Sequence, residues 1–242
     1  MTIAENVSLA RRNINAAAES VGRSGSEVRL LAATKMNDAD RVREAVRAGV
    51  DICGENRVQE FTEKNAVNAY VPCPVHFIGH LQKNKVKYLV GAVELIHSID
   101  SPELMDAVSR RAVSLGITQD ILLEVNIGGE ASKSGIAPAE LPALLSHAAL
   151  CPGVRVKGLM AIPPAAREGE ENRRYFLQMY DLFVDIRRKT YDNVIMAELS
   201  MGMSGDYEEA VRCGATIVRL GTALFGPRNY DLQEAPPHGI IG

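Results

Sequence analysis

Arg29-Leu30-Leu31-Ala32-Ala33-Thr34-Lys35-Met36-Asn37 is the stretch on which the choice of fold turns. A short apolar run breaks off into polar residues, and no Gly-x-Gly-x-x-Gly follows it, the loop that an open, doubly wound nucleotide-binding sheet carries after its first strand. No Walker loop occurs elsewhere. Outward from here the pattern repeats: β-rich runs at 29–34, 50–54, 75–79, 94–99, 120–126, 154–161, 194–199 and 217–220 alternate with helical patterns at 38–48, 55–65, 101–115, 138–149, 168–189 and 207–213, after an N-terminal helix at about 3–21. Gly49, Gly116 and Gly214 follow three of the helix ends. Parallel strands need helical crossovers, and closure removes both sheet edges, so eight such units imply a single (β/α)8 TIM barrel with an extra N-terminal helix. The open sheet is the competing architecture.

Composition sets the remaining bounds. The chain has 242 residues, 46% of them apolar and 24% charged, enough for a large core in one domain spanning 1–242. Residues 229–242, with Pro236-Pro237-His238-Gly239, read as a loose tail. A net charge of −3 offers no positive field for nucleic acid or anionic lipid. Neither an export signal nor a long uncharged apolar stretch is evident, so the expected location is cytoplasmic, with no membrane partner. Cys53, Cys73, Cys151 and Cys213 form no C-x-x-C pair and read as four reduced thiols.

In a barrel of this kind chemistry gathers where the strands end. Those positions are Lys35, Glu55-Asn56, His80, Ser98, Asn126, Met160, Ser200 to Ser204 and Arg219 to Thr222. Leu31, Ala33 and Lys35 share one face by the two-residue period, so Lys35 is either a solvated surface lysine or an amine aimed into the mouth, where burial would free it for imine formation. Ser204 offers a hydroxyl, Gly202 and Gly205 allow close backbone approach, and the amides of Gly221 and Thr222 face the same end, which together form either a phosphate cradle or a plain Gly/Ser loop. Arg219, inside an apolar strand, needs an acceptor, supplied by a ligand or by an internal carboxylate such as Glu198. Asn56 either caps a helix or touches a ligand. His76 and His80 lie about 13 Å apart along a strand, too far for one ion, and no metal is assigned. Lys83, Lys85 and Lys87 read as a solvated helix face.

Ala33-Thr34-Lys35, Gly54-Glu55-Asn56-Arg57-Val58-Gln59-Glu60, His76-Phe77-Ile78-Gly79-His80-Leu81-Gln82-Lys83-Asn84-Lys85, Ser132-Lys133-Ser134-Gly135, Gly158-Leu159-Met160, the stretch from Leu199 to Asp206 and Arg219-Leu220-Gly221-Thr222 follow one another in an order that resembles the pyridoxal phosphate homeostasis proteins. The resemblance runs from about Leu30 to Arg228. It implies a barrel like the N-terminal domain of alanine racemase, with pyridoxal 5′-phosphate held as an imine on Lys35. It also implies phosphate contacts from the Ser204 hydroxyl and the Gly221 and Thr222 backbone, Arg219 at the pyridine nitrogen, and Asn56, Met201 and Met203 around the ring. An arginine there leaves the ring a poor electron sink, and the chain length leaves no room for the second domain of a racemase, so the expectation is a monomeric carrier of the cofactor, in exchange with amino acids and with apo-enzymes that use it, without turnover. An amino-acid racemase is the second reading, and a phosphosugar-type barrel enzyme the third.

Overall fold

The structure is a computed structural model that describes residues 1–164 and 172–227. Its strands are β1 (Arg29–Ala33), β2 (Ile52–Glu55), β3 (Val75–Phe77), β4 (Leu95–Ile99), β5 (Gln119–Val125), β6 (Val154–Ala161), β7 (Val194–Ser200) and β8 (Ile217–Leu220). They run parallel, each beside the next in chain order, and β8 closes on β1 with Leu31 level with Arg219. The expected TIM barrel is therefore present, and the open sheet is set aside.

Eight α-helices are found among the described residues: α1 (Ile3–Glu19), α2 (Ala39–Arg47), α3 (Val58–Ala66), α4 (Pro102–Ser114), α5 (Leu141–Ala148), α6 (Arg173–Arg187), α7 (Tyr207–Arg212) and α8 (Thr222–Phe225). The extra N-terminal helix is α1. It begins in a capping box, with Thr2 and Glu5 exchanging hydrogen bonds, and packs against α2, α7 and α8. Asn6 ties it down by donating to the Leu224 carbonyl at 2.9 Å. None of the described helices is long and apolar enough to cross a membrane.

Where the boundaries differ from the sequence expectation, side chains account for it. The helix expected from residue 55 starts at Val58, because Glu55 still belongs to β2 and its carboxylate is held from outside the barrel by Lys64. The crossover from β3 to β4 is only a 3-10 segment, Lys83–Tyr88, with Lys83, Lys85 and Lys87 exposed. The start of the helix expected at 168–189 and the tail at 229–242 lie outside the described residues.

The two-residue period sorts the core into two layers. Leu31, Ala33, Ile52, Ile78, Leu95, Leu122, Met160 and Ile217 fill the barrel interior. Alternate residues such as Leu30, Ala32, Cys53, Phe77 and Leu123 pack outward beneath the helices. At the mouth the loops after β2 and β3 touch: a Cβ on Gly79 would lie 2.0 Å from the Asn56 carbonyl oxygen.

Because that neighbour is backbone and cannot turn aside, Gly79→Ala is expected to cost at least about 2 kcal/mol in urea unfolding. An unchanged midpoint would show that the two loops separate freely.

Candidate functional site

All eight strands deliver their ends to one mouth. Lys35 stands in the turn that follows β1, two residues past the inward-facing Ala33, and is partly exposed. The backbone on either side of it is gripped from behind the barrel wall. Thr34 Oγ1 donates to Glu55 Oε1 at 2.6 Å and lies 3.1 Å from the Gly54 carbonyl oxygen. Lys64 Nζ donates to the Thr34 carbonyl at 2.8 Å and to Glu55 Oε1 at 2.6 Å. Glu60 Oε2 accepts the Met36 amide at 2.7 Å, and Met36 takes the left-handed φ of 60° that this turn requires. Glu55, fully buried, accepts a further hydrogen bond from the Tyr70 hydroxyl at 3.1 Å. Sequence reasoning missed Lys64 and Glu60, although a lysine three residues after Phe61 lies on the apolar face of α3 and so calls for a buried partner.

Arg219 points into the barrel and is 4% exposed. Its Nη1 donates to Ser200 Oγ at 2.6 Å and its Nη2 to the Ala161 carbonyl at 2.9 Å. Burial brings its pKa down to about 10, with Glu124 and Asp206 acting the other way, so it stays charged near neutral pH. Glu198 is not its partner. That carboxylate faces the opposite mouth, where it accepts from Arg29 at 2.7 Å and from Thr216 Oγ1 at 2.8 Å.

Glu124 is a third residue that sequence reasoning passed over. It shares the inward face of β5 with Leu122, 7% exposed, and burial, aided by Asp100 and opposed by Arg219, pushes its carboxyl up to about 7. The signal was a lone acid in the run Ile121-Leu122-Leu123-Glu124-Val125. Asn126, the strand-end residue, instead ties its own loop together by donating to the Glu130 carbonyl at 2.8 Å.

The β7–α7 and β8–α8 loops meet at Ser204, whose Oγ accepts the amides of Gly221 at 3.2 Å and Ala223 at 3.1 Å, with Thr222 between them. Gly202, at φ 90°, turns the chain so that its carbonyl accepts the Arg219 amide at 3.0 Å. Met203 sits at the rim, 40% exposed, whereas Met201 is wholly buried in the layer between strands and helices. Asn56 follows β2, whose Gly54 pairs with Ala33, so it comes level with Lys35. Its Oδ1 is buried with no hydrogen-bond partner among the described residues, as is Ser98 Oγ at the end of β4. Lys35, Asn56, Ser204, Arg219, Gly221 and Thr222 thus gather around one mouth. His80 lies exposed beside Ser134, apart from His76 in the barrel interior.

The family model for the alanine racemase N-terminal domain matches residues 6–229. The pyridoxal phosphate homeostasis protein of Aquifex aeolicus is 44% identical over 230 residues, 95% of this chain and 100% of that protein. PipY of Synechococcus elongatus, solved with PLP bound, superposes with a TM-score of 0.81 at 34% identity, covering 93% of this chain and 100% of that one. An alanine racemase of Clostridium difficile shares the fold at 15% identity and a TM-score of 0.71, with 94% of this chain matched to 61% of that one. The chain belongs to the pyridoxal phosphate homeostasis protein family.

Lys64→Met would leave the Glu55 carboxylate buried without its cation and is expected to cost about 3–5 kcal/mol in urea unfolding; a loss below about 1 kcal/mol would show that the pair merely balances its own desolvation. Glu124 has the opposite sense. The folded chain keeps this proton after the unfolded chain has lost it, so stability falls as pH rises from the ordinary 4.5 to about 7 and then levels off. Glu124→Gln is therefore expected to gain about 3 kcal/mol over the parent near pH 8 and nothing near pH 4, and parallel stability–pH curves for the two proteins would refute this.

Proposed function

We propose that this chain, as one cofactor-binding domain, holds pyridoxal 5′-phosphate as an imine on Lys35 and serves to keep and supply the cofactor. The observation that carries the reading is the convergence on one mouth of a lysine at the end of β1, a buried charged arginine and two loops joined at a hydroxyl. The homologous PipY, solved with PLP bound, supports it from outside the chain.

The residues present fit the group. Ser204 Oγ already lies between two backbone amides, where an anionic oxygen would also be received, and Gly205 leaves open space where a side chain would stand. Asn56 brings a buried oxygen with no partner to the level of Lys35. Ser204 and the backbone of Gly221 and Thr222 would then bind phosphate, Arg219 would donate to the ring nitrogen, and Asn56 and Met203 would flank the ring above the buried Met201.

When bound, the cofactor supplies an aldehyde for imine formation and an electron sink for carbanions. Arg219 restrains the second. A charged guanidinium donates a hydrogen bond but does not hand over its proton near neutral pH, so the ring nitrogen stays unprotonated. The protein so understood is a cytoplasmic monomer that exchanges its cofactor with free amino acids and with apo-enzymes, not a catalyst. A racemase is the second reading. Glu124 is the observation in its favour, since a carboxyl titrating at about 7 beside the site suits a proton donor or acceptor.

Two experiments decide between them. Lys35→Ala is expected to lose the visible imine band, and borohydride-reducible cofactor on another lysine would overturn the assignment of Lys35. Incubation of the loaded protein with single L- and D-amino acids in heavy water is expected to change the spectrum stoichiometrically without placing deuterium at the α-carbon. Multiple-turnover deuteration that disappears in Lys35→Ala would make the protein an enzyme.

A further inference from the structure

A continuous hydrogen-bonded chain crosses the barrel interior from one mouth to the other. Glu94, half-exposed just before β4, has Oε1 3.2 Å from His76 Nε2. His76 Nδ1 lies 2.9 Å from His97 Nε2, and His97 Nδ1 lies 3.1 Å from Ser200 Oγ. Ser200 Oγ in turn accepts from Arg219 at 2.6 Å. His76, His97 and Ser200 are completely buried.

The donor inventory fixes where each hydrogen lies. A carboxylate only accepts, so His76 Nε2 carries the hydrogen given to Glu94. If His76 is neutral, its Nδ1 must then accept, which puts the next hydrogen on His97 Nε2 and leaves His97 Nδ1 to accept from the Ser200 hydroxyl. With its own hydrogen committed, Ser200 Oγ is left as an acceptor for Arg219. The far end demands the same direction, because a guanidinium only donates. Burial disfavours the charged form of both rings, most strongly for His97, which agrees with a chain of neutral groups.

We propose that His97 and His76 are positioning residues which, locked in their Nε2–H tautomers, carry the polarising influence of Glu94 through Ser200 to the contact between Arg219 and the ring nitrogen. This rests on the reading that Arg219 faces the pyridine ring. Hydrogen bonds aligned head to tail strengthen one another, so a carboxylate at the far mouth makes Ser200 Oγ a better acceptor and fixes Arg219 in place. The Ala161 carbonyl holds a second guanidinium nitrogen, leaving the remaining N–H groups for the ligand. The charged groups around this path are Arg29, Glu94, Asp120, Lys157 and Glu198 at the far mouth, and Glu124, Asp206 and Arg219 at the site. Arg29 stands 3.6 Å from Glu94 and pairs more closely with Glu198, so Glu94 remains ionised and available to His76.

Long-range nitrogen–proton NMR of the histidine rings, with and without pyridoxal phosphate, tests the chain independently of any cofactor chemistry. Both His76 and His97 are expected as neutral Nε2–H tautomers. An Nδ1–H tautomer or a doubly protonated ring at either position would overturn the proposal. In the loaded protein, Glu94→Gln removes a negative charge and is expected to lower the midpoint of the imine titration by about half a unit, since a cation loses a stabilising field. His97→Gln retains one donor and one acceptor and is expected to keep the parent midpoint, whereas His97→Leu is expected to shift it. An unchanged midpoint in Glu94→Gln, or equal shifts in His97→Gln and His97→Leu, would reduce the chain to a structural filling. If no imine forms even in the parent, the reading of the site fails, and the tautomers alone still decide the chain.

Discussion

A guanidinium inside a closed barrel must be answered by the few residues that the strand period turns inward, and Arg219 sets the pattern for what surrounds it. Its partners, Ser200 Oγ and the Ala161 carbonyl, are neutral. An ion pair with an adjacent inward carboxylate would hold the charge more tightly but would use up the donors facing the mouth. Neutral acceptors fix the head group, and the acidic groups that favour its charge, Glu124 and Asp206, act on it without a direct ion pair. The cost of burying it appears in the lowered pKa of Arg219 and, reciprocally, in the field that keeps the raised pKa of Glu124 from rising further. The wire behind Ser200 follows from the same demand, since a buried hydroxyl that accepts from arginine must place its own hydrogen somewhere.

Two polar networks therefore flank the site, on opposite sides of the barrel wall. The outer one, Glu55 with Lys64, Thr34, Tyr70 and Glu60, holds the backbone around Lys35. The inner one, from Glu94 to Ser200, supports Arg219. In each case the side chain that faces the mouth sits on a strand end whose neighbours are bonded elsewhere. Precise placement is thus achieved with short strands, β2 and β8 having four residues each.

The barrel itself was legible in the sequence because strand and helix periods differ and recur; the strand ends at Ala161 and Leu220 fall where the pattern places them. Lys35 and Ser204 were legible only as candidates near strand ends, each with a structural alternative that the pattern alone left open. Glu124 and Lys64 were not, for opposite reasons. Glu124 hides within an apolar run whose inward face only the closed barrel defines, and Lys64 is an ordinary helix lysine until α3 docks and seals it over Glu55. The partner of Arg219 was beyond the sequence as well. Glu198 and Ser200 share one face of β7, and only the closure of β8 on β1 brings Arg29 within reach of Glu198 and leaves Ser200 for Arg219.

What the site exposes bears on what it can do. A racemase must keep water from the reacting carbon and offer bases on both faces of the substrate. Here Lys35 and Ser204 are partly exposed and Met203 forms an open rim, while Arg219 lies deep. Such a division suits holding more than turnover. On the proposed reading, a buried arginine on a rigid support would contribute affinity at little entropic cost, and a partly exposed Lys35 would leave the bound cofactor within reach of water and incoming amines. Closing the mouth would slow that exchange before it improved any chemistry, because an unprotonated ring beside Arg219 would remain a weak electron sink in a dry site too. On the proposed reading, openness at Lys35 and rigidity at Arg219 are two halves of one requirement: the cofactor is gripped where its electronics are set and left accessible where it must be handed on.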